Sequence, residues 1–259
     1  MNKKMSEIKN ENRKEFKKFA VIMIICAIFG GVVGFILSMY GDVIKDIPSN
    51  LNAILISILP YSICVAGIIS FISSFILYRK SVKLYEKYDG ENEELIDKIE
   101  NSNGYALIIN NINLIITFFF FGIALDDNVF DLDKAAYKFL IFFLSYLINI
   151  AIIVKMQQKI IDFEKLINPE KKGSVYDKKF TKKWEESCDE AERMMIYKSS
   201  YKAFKATNIT CIIVWLALVM INTVWNTGVM PVVVVTIIWA VLVCSYSIEA
   251  MRLQKTGGK

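Results

Sequence analysis

Six long apolar blocks separated by polar stretches set the pattern of this chain: residues 19–40, 51–78, 104–125, 135–154, 206–225 and 229–248. Each is at least about as long as the roughly 20 residues that a helix needs to cross a bilayer. None has Asp, Glu or Arg in its middle. The single basic residue inside these limits, Lys138, stands near the start of its block, where a long side chain snorkels to the headgroups. The expected fold is therefore all-α: a polytopic transmembrane helical protein, six spans as three hairpins with cytoplasmic helical extensions. The second block exceeds one straight crossing. Pro60 inside it implies either a kink or a helix that begins nearby, with 51–59 lying along the outer interface. The first block is longer than a secretory h-region and no A-x-A-like cleavage site follows it, so it reads as a signal anchor.

Charge orients the blocks. Of the 31 Lys and Arg residues, 28 lie before the first span, after the last, or in the alternate loops 79–103 and 155–205. The positive-inside rule then makes residues 1–18, 79–103, 155–205 and 249–259 cytoplasmic, around transmembrane hairpins 19–78, 104–154 and 206–248. The net charge of +5 becomes a difference between two faces and requires no nucleic acid. Arg13, Lys14, Lys17 and Lys18, with Lys178, Lys179, Lys182 and Lys183, suit anionic lipids at the inner leaflet of the bilayer. Tyr40, Tyr78, Tyr105, Tyr137 and Trp225 sit at span ends, where an aromatic belt belongs.

Composition narrows the chemistry. Apolar and aromatic residues make up 54% of the chain and charged ones only 22%, which a soluble domain of this size would not show. There is no histidine at all. That excludes H-E-x-x-H zinc proteases, rhomboid-like Ser/His proteases and other intramembrane enzymes that need imidazole as ligand or base. The five cysteines form no C-x-x-C pair and read as small hydrophobes. No phosphate-binding glycine-rich loop with its lysine is present, so the chain carries no ATPase motif of its own. No cofactor or metal is expected.

Polar residues within the blocks are the first candidates for function. Asn110, Asn113 and Thr117 share a face of the third span, beside Asn111, and Ser145 and Asn149 stand i,i+4 on the fourth. In hydrocarbon these groups need partners, so they face other helices, either as interhelical glue or as a path for a small solute or sodium. Proton coupling lacks an intramembrane carboxylate or histidine to carry it. In the first span Gly30 and Gly34, extended by Ala27 and Gly31, form a small surface for close helix packing, within the bundle or in a homodimer.

The cytoplasmic loops hold the second group. Met156, Ile160, Phe163 and Ile167 make an apolar stripe on a charged helix. After a turn at Asn168-Pro169, a second helix is expected over 184–205. Trp184 starts it, Met194, Tyr197, Tyr201 and Phe204 share one face, and Asp189 and Arg193 form an i,i+4 pair. Glu185, Asp189 and Glu192 fall on one face of such a helix and could offer a hard cation three carboxylates, but a solvated face paired with neighbouring lysines is the ordinary meaning. The similarity of Lys14-Glu15-Phe16-Lys17 to Lys202-Ala203-Phe204-Lys205 hints at a three-hairpin repeat.

The layout, with Gly30-Gly31-Val32-Val33-Gly34 and the run D-E-A-E-R-x-x-x-Y-K-x-x-Y-K from Asp189 to Lys202, resembles a family of uncharacterised six-pass membrane proteins of Gram-positive bacteria, a domain of unknown function. The resemblance implies a bacterial cell-membrane protein and brings no catalytic residues. From the residues, the leading expectation is a non-enzymatic membrane subunit or regulator acting with a partner, such as a transport system with its ATPase. The alternative is a self-sufficient carrier or channel using the Asn/Thr-lined face of spans three and four.

Overall fold

In a computed structural model of the chain, the described residues are 47–125 and 132–255, with Val21, Ile24, Ile25, Ile28, Gly31, Val32 and Phe35 from the first block. They form helices α1 (Ile47–Tyr85), α2 (Glu93–Ala124), α3 (Leu132–Ile167), α4 (Phe180–Glu186), α5 (Glu190–Trp225) and α6 (Met230–Lys255). Among the described residues no strand occurs, and five of these helices are long and apolar enough to cross a membrane. The sixth expected span, with Ala27, Gly30 and Gly34, lies outside the described residues except at scattered positions. Gly31 is helical and exposed there.

Helices run further than the apolar blocks. α1 has 39 residues and continues through Pro60, so it does not begin there as one sequence reading had it. At about 1.5 Å per residue it reaches nearly 60 Å, well past a hydrocarbon core of about 30 Å. α2 starts before its block, at an N-cap Asn92 whose side chain accepts from the Leu95 N–H, with Glu93 and Glu94 in the first turn to answer the helix dipole. α3 runs from the span into the striped polar segment without a break.

The chain divides into two compact units, one of residues 51–201 and one of 1–50 with 202–259. In the first, the buried positions of α2 include Ile99, Asn103, Ala106, Asn110, Asn113, Thr117 and Ala124, spaced in steps of three, four or seven, with Ser102 beside them. Ile63, Ser70, Ser74 and Ser81 repeat that spacing on α1, and Phe142, Asn149, Ile153, Met156, Ile160 and Phe163 on α3. This is the period of helices packed along a continuous seam. Outward-facing positions are apolar and exposed, among them Ile69, Ile76, Ile115 and Ile148. The pattern is inside out relative to a soluble bundle, because lipid tails solvate Ile as well as a core does.

Two apolar clusters cap the seam. Leu59, Ile63, Ala124 and Phe142 close one end, with Phe121 stacked on Tyr146 at 4.2 Å. Ala106, Met156 and Ile160 form the other, against Phe75, Leu77 and Tyr78. The stripe on the extension of α3 is thus covered by α1 and α2: Phe163 meets Tyr78 and Tyr85 edge-on at 5.7 and 5.5 Å. In the second unit, Trp239 donates to Asn208 at 2.7 Å and Phe204 stacks on Tyr246 at 4.4 Å, which aligns α6 with the adjoining part of α5. Their connection turns through Asn226 and Gly228, both at positive φ.

α2 and α3 are antiparallel, and their side-chain pairs set the register: Asn103 to Glu164, Asn111 to Gln157, Asn113 to Asn149. Their apolar blocks are therefore staggered. The block of α3 ends at Val154, while Gln157 faces Asn111, well inside the block of α2. The offset is about two helical turns, on the order of 12 Å. Lys159, brought alongside apolar segments of α1 and α2, reaches to the Tyr78 ring at 4.8 Å and the Phe75 ring at 5.6 Å.

Ile160→Ala is expected to cost about 2–5 kcal/mol of stability, since Ile160 is fully buried. Ile148→Ala, on an exposed face, should stay within about 0.5 kcal/mol. Thermal unfolding of the detergent-solubilised variants measures both.

Candidate functional site

The seam holds a ladder of polar side chains, met by one another or by backbone carbonyls. At its centre the amides of Asn113 and Asn149 exchange hydrogen bonds, Asn113 Nδ2 to Asn149 Oδ1 at 3.1 Å and Asn149 Nδ2 back to Asn113 Oδ1 at 3.4 Å. Asn149 Nδ2 also donates to Thr117 Oγ1 at 2.8 Å, and the Thr117 hydroxyl donates to the Asn113 carbonyl at 2.7 Å. One turn away Asn110 donates to Ser74 Oγ at 2.9 Å and to the Ala106 carbonyl at 3.0 Å. Ser74 and Ser70 donate to the carbonyls of Ala106 and Ile109, and Ser81 to those of Leu77 and Ile99. Gly67 makes room for the central pair: a Cβ there would stand 2.7 Å from Asn149 Oδ1.

Of the residues singled out in the sequence, the structure brings Asn110, Asn113, Thr117 and Asn149 into this ladder. Ser145 is half-buried. With Asn149, Gly67, Cys64 and Phe71 it lines a cavity of about 350 Å³ between α1 and α3. The α1 contribution, Gly67, Ser70, Ser74 and Ser81, was missed in the sequence, as was Asn103. Their three-and-four spacing was the available signal, because small and hydroxyl residues repeat on that period opposite the amides.

Beyond the apolar blocks the ladder ends in a charged junction. Asn103, fully buried just before the block of α2, donates to Glu164 Oε1 at 2.7 Å, while its own Oδ1 accepts no hydrogen bond among the described residues. Burial, the largest influence, holds the Glu164 carboxyl above its ordinary range. The Asn103 bond works against this, and the neighbouring Glu100 reinforces it. Lys171, buried, pairs with Glu192, donates to Cys188 Sγ at 3.3 Å and lies 5.6 Å from the Trp184 ring. Burial alone would lower its pKa, but the bonds to Glu192 and Cys188 outweigh that and hold the ammonium above its usual value.

The structure changes the expected helix over 184–205. It breaks at Ser187, with Trp184 in α4 and Asp189 capping α5. Asp189 and Glu192 form a reciprocal capping box: Asp189 Oδ1 accepts from the Glu192 N–H at 2.8 Å and Glu192 Oε2 from the Asp189 N–H at 3.0 Å. Arg193, rather than pairing with Asp189, donates to the Glu185 and Glu186 carbonyls that end α4. Glu185 accepts from the Tyr197 hydroxyl at 2.8 Å. The three carboxylates proposed for a cation therefore serve a cap, a lysine and a tyrosine. Gln158 ties the preceding turn to α3, accepting from Ser174 Oγ and the Val175 N–H at 2.9 and 2.7 Å. Met194, Tyr197 and Tyr201 remain exposed on α5, and Phe204 is half-buried. Cys188 and Cys211 are buried, whereas Cys64 and Cys244 are exposed.

Two outcomes follow from this geometry. Asn113→Leu and Asn149→Leu should show a coupling of about 0.6–1.7 kcal/mol in a double-mutant cycle. Gly67→Ala should destabilise the wild-type chain by about 1–3 kcal/mol but lose most of that effect when Asn149 is also Ala. For Glu164, a folded pKa above the unfolded 4.5 means that the native state holds the proton more tightly. Stability then falls as pH rises from 4.5 through the folded value. Glu164→Gln should raise the unfolding midpoint at pH 7.5 and flatten its decline from pH 5, as read by thermal scans.

No curated protein and no solved structure matches the chain. The match is to a family model described as a protein of unknown function, DUF3169, over residues 13–248. That span takes in all three seam helices and the charged junction, and the chain belongs to this DUF3169 family.

Proposed function

We propose that this is a bacterial cell-membrane protein with six spans and cytoplasmic termini, a non-enzymatic subunit or regulator that acts with a partner such as a transport system. The observation that carries the reading is the closed exchange between Asn113, Asn149 and Thr117: these three side chains are spent on one another and on the Asn113 carbonyl, as glue requires. With most of the stripe of α3 covered by its own helices, Met194, Tyr197 and Tyr201 on α5 form an exposed apolar face outside the apolar blocks, anchored at its base by the capping box and Arg193. A rigid helix presenting Met and Tyr is a recurrent mode of subunit docking. The partner is another membrane protein, an ATPase subunit, or a second copy in a homodimer.

The cavity beside Ser145 and Asn149 favours a second reading, a small-solute carrier or channel. One pair of variants separates the two. Met194→Glu should leave the unfolding free energy within about 0.5 kcal/mol of wild type and release a partner crosslinked at this face. Asn113→Leu should lower stability and partner-dependent activity together. Solute uptake by the purified chain alone, abolished by Asn113→Leu with no change in stability, would overturn the subunit reading in favour of the carrier.

A further inference from the structure

Where α1 leaves its apolar block, four cations crowd the end of the helix and the turn that follows it. Arg79 and Lys83 stand at i and i+4 near the end of α1 with Lys80 beside them, Lys87 follows in the turn after the helix, and all four are exposed. Around Phe75 and Ile76 they line a shallow cavity of about 470 Å³. A fifth cation comes from another helix: Lys159 of α3 places its ammonium 5.6 Å from the Phe75 ring, and the Arg79 guanidinium lies 5.2 Å from the same ring. The ring is thus held between two cations, one of them brought there by the stagger of α3 against α1 and α2.

Such a cluster repels itself, since like charges at i,i+4 destabilise a helix. The ordinary remedy is a carboxylate, and Glu86 stands just past the end of α1. Yet none of the five cations forms an ion pair among the described residues. The helix dipole accounts for Lys83 in the last turn, but Arg79 and Lys80 lie further in, where its field has faded. What remains is an unbalanced cationic pocket with an aromatic and aliphatic floor. Its cations begin at the first residue past the apolar block, at the level of phospholipid phosphates, and Phe75 and Ile76 lie one turn deeper, at the level of acyl chains.

We infer that this pocket is a binding site for the headgroup of an anionic phospholipid. Arg79 and Lys83 take the phosphodiester, Arg79 as a planar donor fork, Lys80, Lys87 and Lys159 supply the surrounding field, and an acyl chain lies along Phe75 and Ile76. The inference rests on the membrane reading above and adds to it a specific lipid at a specific place. It differs from general attraction to an anionic leaflet in predicting that these cations matter more than the equally basic run of Lys178, Lys179, Lys182 and Lys183.

The test uses the full chain in neutral detergent and in phosphatidylcholine nanodiscs, titrated with phosphatidylglycerol and followed by native mass spectrometry and by the unfolding midpoint. Wild type should bind one phosphatidylglycerol preferentially. Arg79→Gln with Lys83→Gln should weaken binding about 25-fold, from roughly fivefold per cation removed, while Lys178→Gln with Lys179→Gln should change it less than about twofold. Equal weakening by both pairs would reduce the site to general electrostatics and overturn the inference, as would unchanged binding in the Arg79/Lys83 pair. Displacement of the lipid by millimolar inorganic phosphate would point to a free-anion site and overturn the lipid assignment. Should the double variant not fold, photo-crosslinkable phosphatidylglycerol on the wild-type chain decides: label on the peptide spanning residues 75–87 supports the site, and label confined elsewhere overturns it. A chain that fails to enter neutral nanodiscs would strike the membrane reading itself and the inference with it.

Discussion

A side-chain amide inside hydrocarbon has no water to turn to, so it must be met by another part of the protein, and the pair Asn113 and Asn149 is where this chain meets that demand. The two amides exchange bonds at 3.1 and 3.4 Å between α2 and α3, and Thr117 takes up the remaining donor at 2.8 Å. Much follows from holding them. The helices must come close, so Gly67 stands where any Cβ would strike Asn149. The contact must extend along both helices, so small and hydroxyl residues recur in steps of three and four on α1 and α2. Outward positions are left to Ile, Leu and Phe, which need no protein partner in lipid.

Fixing that register also fixes what lies beyond it. With Asn113 opposite Asn149, Asn103 falls opposite Glu164 and Ala106 beside Met156 and Ile160. The polar extension of α3 is therefore packed along the other two helices rather than free. It carries the turn that Gln158 grips, and through Lys171, Glu192 and Cys188 that turn is joined to the start of α5. The capping box at Asp189 and the clamp of Arg193 on α4 then set the direction in which α5 leaves the junction. A partner docking on Met194 and Tyr197 would thus meet a surface tied, step by step, to the intramembrane seam.

How much of this was legible in the sequence depends on what sets each feature. The apolar blocks were, because transfer free energy acts on composition alone. The amide ladder was half legible: Asn110, Asn113, Thr117 and Asn149 announce themselves as costly groups in hydrocarbon, whereas Ser70, Ser74 and Ser81 do not, since a serine can return its hydroxyl to its own helix. Block ends misplaced the helix ends, as at Pro60, where packing overrides the local break. The stagger of α3 was hidden for the same reason. An apolar block places a helix only against a flat membrane, while register is decided by which side chains meet. Asp189-x-x-Glu192 carries a capping-box pattern, but helical periodicity across Ser187 masked the start of a new helix there.

The claim on which the rest turns is that the Asn113–Asn149 seam is closed. Hydrogen exchange of the full chain in nanodiscs reads this directly, without altering a residue. A closed seam predicts that amides of 106–117 and 146–156 exchange as slowly as those in the lipid-facing parts of the same helices. Exchange in those segments that approaches the rate of the 168–179 turn would mean that water enters between α2 and α3, and would contradict the account.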